Sequence, residues 1–335
     1  MFLCKTPVRI AFGGGGTDVE PYPSEYKGFV VNATINLYFR TIFSTREDKS
    51  IRIYSNENFS PYFFKNMEDL KLKDTNDDLI KAILYLTQPK MGMDIYLHGE
   101  PPKKAGLGAS ASLSDCLIAG IQNIQKKEIK KNQIAEMAFK VEDQILNNAG
   151  GRQDQYAALF GGFNAITFSG GSNVEVERLK LSDSFIKDLE NRIILFYTGE
   201  PHTSGNMVKK QIDSYLEEKE ESKKSLDRLK EIAFEMLDCL NSEDIEGLGN
   251  LLTEDWKKKT KFNPYITTDH MKDLNKIVMN NGGIGGRVCG AGGGGCIFWI
   301  VDPKKKGEII EKLNKKSGHI LDFKFENKGL AIQYL

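Results

Sequence analysis

Short runs rich in β-branched and aromatic residues recur through the first part of the chain, at Arg9 to Phe12, Phe29 to Phe43, Ile51 to Tyr54 and Met93 to Leu97. Bounded by polar stretches, they predict strands. The spacing then changes: Leu113, Leu117, Ile121 and Ile124 recur every three or four positions, which predicts a helix opening at Ser110. A second helix is predicted over about Asn132 to Asn147, stopped by Gly150-Gly151. At ~100° per residue, Ile134, Ala138, Val141 and Ile145 make its buried stripe, with Glu142 at the edge of that stripe and Asp143 on the far side. A strand over Phe163 to Phe168 ends at the loop Ser169-Gly-Gly-Ser172.

Beyond that loop, Arg192 to Tyr197 starts a new strand and the composition shifts toward charge. Between Gly205 and Leu240, apolar Leu226, Leu229, Ile232 and Met236 keep helical spacing among many Lys and Glu, a pattern with one solvated face. The Lys-rich patch Lys257 to Lys261 reads as helix surface. The remainder reads as a helix (Thr268 to Met279), a glycine loop, a strand (Cys296 to Val301), a helix (Lys304 to Lys316) and two short strands (Ile320 to Phe325, Leu330 to Gln333). The fold class is therefore α+β, in two domains at 1–180 and 181–335, the second with the element order of a ferredoxin-like unit.

With 335 residues and 40% hydrophobic content, each domain can hold a core. Lys+Arg and Asp+Glu balance at 46 each, so no overall field draws the chain to nucleic acid or anionic lipid, and a small-molecule partner is expected. No run is long and apolar enough to span a bilayer. The five cysteines show no CxxC spacing, and with the scattered histidines this predicts reduced thiols, no structural zinc and a cytoplasmic protein. Cys289 and Cys296 are assigned to packing.

Chemistry concentrates first in Pro101-Pro-Lys-Lys-Ala-Gly-Leu-Gly-Ala-Ser-Ala-Ser112. Two glycines and several hydroxyls open directly onto a helix whose first-turn N–H groups have no internal partner, which predicts a phosphate cradle. Its expected nucleotide contacts are Lys104, Ala105, Gly106, Leu107, Gly108, Ala109, Ser110 and Ser112.

Four separated segments give this loop a context: Pro7-Val-Arg-Ile-Ala-Phe-Gly-Gly-Gly-Gly-Thr-Asp18, the Gly106 to Ser112 loop, Glu142 with Asp154, and Gly290-Ala-Gly-Gly-Gly-Gly295. Together, and end to end, they resemble the GHMP kinases, named for galactokinase, homoserine kinase, mevalonate kinase and phosphomevalonate kinase. The resemblance implies an N-terminal mixed α+β domain with a left-handed βαβ unit, a C-terminal ferredoxin-like domain, and ATP with Mg²⁺ between them. It assigns magnesium to Ser110 and Glu142, the general base to Asp154, and charge stabilisation to Arg9. Asp154 follows Glu142 by twelve positions, as in galactokinase-like members.

Thr17-Asp18, nine positions from Arg9 to the aspartate, resembles the sugar-1-kinase branch, in which the Asp holds a ring hydroxyl. Galactokinases carry Gly-Glu-His before this Thr-Asp, whereas this chain has only glycine, which opens space for a longer, anionic sugar. FGGGGTD with Pro21-Tyr22 and Gly28 to Ala33 is most similar to bacterial D-glycero-D-manno-heptose 7-phosphate kinases, which implies phosphorylation of O1 of that sugar phosphate for GDP-heptose synthesis. The L-fucokinases share much of the pattern, and a non-catalytic sugar sensor would keep the same fold. Expected substrate contacts are Gly14, Gly15, Gly16, Thr17, Asp18, Arg152, Gly292 and Gly293; Arg152, Lys103 or Arg287 would meet the sugar's phosphate. Ala109 stands where many relatives have Ser, removing one hydroxyl.

Overall fold

The computed structural model describes residues 1–56, 61–70, 79–201, 204–217 and 219–335. The strands are β1 (Phe2–Gly13), β2 (Gly28–Thr45), β3 (Ile51–Ser55), β4 (Tyr62–Phe64), β5 (Met93–Gly99), β6 (Phe163–Phe168), β7 (Val174–Arg178), β8 (Ile193–Tyr197), β9 (Gly283–Val288), β10 (Cys296–Val301), β11 (His319–Ile320) and β12 (Ala331–Tyr334). One sheet runs β12-β1-β2-β5-β3-β4, with β6 on the first half of β2 and β7 on β6. Its only parallel pair among the described strands is β3 with β5, joined through the helix Leu79–Thr87.

The second sheet is antiparallel in the order β11-β8-β10-β9. In chain order that is 4-1-3-2 with helices between strands one and two and between three and four, the ferredoxin-like arrangement. Gly283–Val288 is a strand although its glycines read as loop; its neighbour β10 is wholly buried and supplies the packing that Gly285 and Gly286 lack. The chain end departs from the two-domain division at 181. Phe325 bridges Ile35, and β12 pairs with Phe2 to Lys5 of β1, so the last segment completes the first sheet rather than the second.

β1 is longer than its apolar run suggested because Lys5, Thr6 and Pro7 hide its first half, and the ladder to β2 shifts register at Pro7/Val8, where proline lacks a donor. The pairing with β12 ends at Lys5, which frees the outer edge of β1 beyond it. The cradle loop occupies that edge: Arg9 N donates to Leu107 O at 3.0 Å. The helix Ala109–Ile124 then packs on β2, with Gly120 against the Phe43 ring. No helix among the described residues is long and apolar enough to cross a membrane.

Candidate active site

The cradle helix starts from Gly108, whose φ of 75° is left-handed and which offers no side-chain cap. Its first-turn N–H groups are thus left for an external acceptor. Gly106 is required for another reason: a Cβ there would lie 2.6 Å from the Cys289 carbonyl oxygen of the second sheet's loop. The Gly290 to Gly295 loop stacks backbone to backbone on the cradle, and Cys296 N donates to Ala105 O at 2.8 Å. Two motifs far apart in sequence therefore form one glycine-lined floor. Ala105 and Leu107 contribute backbone and are themselves buried; Lys104 is exposed, and Ala109 and Ser110 stand at the helix entrance.

Asp154 sits in the first turn of the helix Gln153–Phe160. Its Oδ1 accepts from Arg9 Nε and Nη2, both at 2.6 Å, while Arg9 Nη1 donates to Gly106 O at 2.7 Å. Arg9 therefore ties the carboxylate to the cradle. Oδ2 stays on the cradle side, 3.1 Å from where a Cβ on Gly108 would stand. That leaves one oxygen of a fixed carboxylate facing the phosphate-binding turn.

Glu142 lies on a π-helical turn, Val141–Ile145, where the spacing had predicted continuous α-helix after Lys131–Lys140. Such an inserted residue re-aims side chains and is frequent at functional sites. Glu142 accepts from Gln155 Nε2 at 2.8 Å and from the Ser110 hydroxyl. Burial holds its carboxyl up to about 7; the Ser110 bond opposes this and the Asp154 charge adds to it. Asp115, one turn into the cradle helix, is also buried, with both carboxylate oxygens lacking a hydrogen bond among the described residues, and burial followed by the Glu142 charge pushes its pKa up. Asp18 is buried as well, its carboxylate accepting from Gly16 N at 3.0 Å and Gln153 N at 3.2 Å. Burial raises its pKa, the Gly16 N–H opposes, and Asp154 adds to the rise. The Asp154 charge thus acts on three other carboxyls, Asp18, Glu142 and Asp115, raising the pKa of each.

Several sequence-based expectations are redirected. Ser112 faces the core, its hydroxyl 3.0 Å from Thr6 Oγ1, so it offers no side chain to a nucleotide. Thr17 Oγ1 donates to Gly14 O and Phe29 O and accepts from Phe29 N, which makes it a staple of the Gly14–Gly16 loop rather than a substrate contact. Arg152 stacks on Phe139 at 3.8 Å and pairs with Glu136 and Glu20, and Arg287 is buried on Asp255 at 3.0 Å while donating to Phe12 O. Neither guanidinium is free for a sugar phosphate. Gly292 packs on Ile266, and Gly293 N donates to the Ile266 carbonyl at 2.8 Å. Cys289 and Cys296 are buried, with the Cys289 thiol pushed up to about 12 by burial, as packing residues would be.

One residue the sequence did not single out enters the site. Lys259, on the helix Ile245–Phe262, is buried, and its Nζ is 3.2 Å from the position of a Cβ on Gly15. It sits inside the Lys257 to Lys261 patch that reads as surface; only its burial separates it from its neighbours.

Residues 78–162 match the GHMP kinases N-terminal domain and residues 236–319 match the GHMP kinases C-terminal region. The chain is 30% identical over 334 residues, covering 97% of both chains, to a D-glycero-alpha-D-manno-heptose 7-phosphate kinase of Campylobacter jejuni. Among solved structures it is similar to a D-glycero-D-manno-heptose 1-phosphate kinase from Bacteroides thetaiotaomicron, with a TM-score of 0.81, 25% identity and coverage of 100% and 99%. A putative sugar kinase from Campylobacter jejuni aligns with a TM-score of 0.79, 28% identity and coverage of 100% and 98%. With Arg9 paired to Asp154 on a cradle that two glycine loops build, and with relatives matching over nearly the full chain, this protein belongs to the GHMP kinases and is a phosphotransferase.

Proposed function

We propose that the protein transfers the γ-phosphoryl group of ATP to the anomeric O1 of D-glycero-D-manno-heptose 7-phosphate, giving the 1,7-bisphosphate, a step toward GDP-heptose for surface polysaccharide. The observation that carries it is Asp154 Oδ2, held beside Gly108 by the Arg9 clamp on Oδ1. Phosphoryl transfer needs mostly positioning and charge neutralisation, and this arrangement supplies both. The free N–H groups of the cradle turn receive the nucleotide phosphates. Asp154 Oδ2 accepts the proton of O1 as that oxygen bonds to phosphorus and ADP leaves. Arg9 stays ion-paired and offsets negative charge growing between the cradle and the acceptor. Asp18, fixed by Gly16 N and Gln153, holds a sugar hydroxyl.

The residues present fit magnesium. The half-buried Glu142, whose charged carboxyl the Ser110 hydroxyl favours, lies at the mouth of an anion cradle, and the described residues hold no cluster of three or more metal-ligating His, Cys, Asp or Glu. Magnesium is usually bound by one or two carboxylates together with substrate phosphates and water, which is what Ser110 and Glu142 would share. Bound there by Ser110 and Glu142, it would supply neutralisation of phosphate charge.

The acceptor is tested by ADP release with a panel of free and phosphorylated sugars. Release with heptose 7-phosphate and formation of a 1,7-bisphosphate is expected. Release only with L-fucose would place the chain with the fucokinases, one of which, the bifunctional enzyme of Arabidopsis thaliana, is 25% identical over 98% of this chain. No release with any sugar would favour a non-catalytic sensor.

A further inference from the structure

The proposed acceptor carries a second phosphate at the end remote from the reacting oxygen, and the arginines the sequence offered for it are committed elsewhere: Arg152 to Glu136 and Phe139, Arg287 to Asp255. Lys103 is exposed beside the cradle rather than at the sugar loop. Lys259 differs from all three. It is 9% exposed, and among the described residues no carboxylate forms an ion pair with it. Its ammonium faces the space left by the missing side chain of Gly15, and Gln153 Nε2 borders the same space at 3.2 Å from that Cβ position.

The order of groups along the site is informative. Gly108 and Asp154 mark the phosphoryl-transfer end; Gln153, the residue next to Asp154, and Asp18 are hydrogen-bonded to each other; Asp18 accepts from Gly16 N; and Gly15 with Lys259 closes the row. A sugar with O1 at Asp154 would put its ring hydroxyls against Asp18 and Gln153 and its far end at Lys259. From that placement, and resting on the heptose phosphate reading above, we propose that Lys259 is the specificity-determining cation that binds the remote phosphomonoester of the acceptor, beside the loop position where Gly15 carries no side chain. A largely buried lysine side chain with no ion-paired carboxylate among the described residues lacks a close counter-charge, and an incoming phosphate dianion supplies it. Burial, the Arg287 charge and, to a lesser degree, the Arg9 charge hold the Lys259 pKa down to about 8, with Asp255 and Asp18 opposing, so the phosphate would also secure its proton. Because the helix bearing Lys259 packs on β9 of the second sheet as well as on the helix Lys219–Asn241, whereas Gly15 follows β1 of the first, the same contact couples recognition of the phosphate to the seating of the two sheets on each other.

The test compares two acceptors, heptose 7-phosphate and unphosphorylated heptose, with wild type, Lys259→Met, Lys259→Arg and Gly15→Asp. Losing a charge-assisted contact to phosphate lowers kcat/KM on the order of 10²-fold. We expect Lys259→Met to show that loss with the phosphorylated acceptor through a raised KM, with free heptose and the KM for ATP changed far less. Lys259→Arg should recover part of the loss, and Gly15→Asp, whose backbone lies outside the left-handed region, should reproduce it by setting a carboxylate beside Nζ. Equal losses on both acceptors would overturn the assignment and place Lys259 at the transferred phosphoryl group or in folding; thermal unfolding of each variant separates those two. No loss on either would also overturn it. A wild type that ignores heptose 7-phosphate yet phosphorylates free sugars would instead overturn the acceptor reading, a result visible before any variant is made.

Discussion

Asp154→Asn isolates the proposed proton acceptor with little change in shape. The amide oxygen can still accept both 2.6 Å bonds from Arg9, and Arg9 keeps its 2.7 Å bond to Gly106 O, so the cradle retains its clamp. At Oδ2 an acceptor becomes a donor and can no longer take a proton from the sugar. Loss of a general base lowers kcat by ~10²–10⁴-fold, about 3–5 kcal/mol on the barrier. The effect on folding is smaller and has two opposing parts. Arg9 is 4% exposed and loses its counter-charge, which in a fully buried pair costs about 3–5 kcal/mol; the Asp154 side chain is 25% exposed, so solvent reduces that to about 1–2 kcal/mol. Against it, the charge of Asp154 raises the pKa of Asp18, Glu142 and Asp115, and its removal relieves all three. The variant should therefore be folded, bind ATP nearly as wild type does by calorimetry, and release ADP at least ~10²-fold more slowly in a coupled assay. Turnover within a few-fold of wild type would refute Asp154 as base, and a lost rate accompanied by lost ATP binding would show that the clamp, not the proton, had been removed.

Two further changes examine the surroundings of that carboxylate. Gly108→Ala places a Cβ 3.1 Å from the Asp154 carboxylate and forces a left-handed residue at about 1–2 kcal/mol, so kcat should fall ~10-fold or more while thermal unfolding shifts by only a few degrees; an unchanged kcat would mean that Asp154 need not sit where it does. Asp115→Val removes a buried carboxyl whose oxygens have no hydrogen bond among the described residues, and should stabilise the protein by ~1–3 kcal/mol in urea unfolding near pH 8. Because the folded-state pKa of Asp115 is raised from 3.8, its contribution is present below that value and is lost as pH rises toward the folded one; the gap between variant and wild type should widen with pH, and a gap that stays flat would refute the reading.

How much of this was legible in the sequence follows from the kind of constraint each residue obeys. Gly106 and Gly108 were readable because a backbone that must turn left-handed, or approach the Cys289 carbonyl at a distance no Cβ allows, leaves glycine as nearly the sole option. Asp154, Arg9 and Asp18 were readable only through their company in the motifs; the spacing that carried them says nothing of Arg9 bonding both Asp154 and Gly106, which depends on β1 losing its partner β12 just where the cradle loop arrives. The π-turn at Glu142 was invisible because Val141 and Ile145 satisfy the α-helical stripe as well as they satisfy the wider turn.

The cations show the limit most clearly. Arg152, beside the catalytic segment, drew attention by position, yet it had Glu136, Glu20 and the Phe139 ring within reach and settled there; a guanidinium with several local partners takes them. Lys259 drew none, because one lysine among Lys257, Lys258 and Lys261 is chemically identical to the rest in sequence. What distinguishes it is the angle of one helix face: Asp255, one turn earlier, is buried on Arg287, and Trp256 closes the other side, so the position four residues after Asp255 turns inward toward Gly15. The buried Asp255–Arg287 pair is thus more than a local ion pair. It fixes the rotation of the helix that carries Lys259, so the proposed specificity for the far end of the acceptor rests on a side chain whose direction is set by a contact outside every motif.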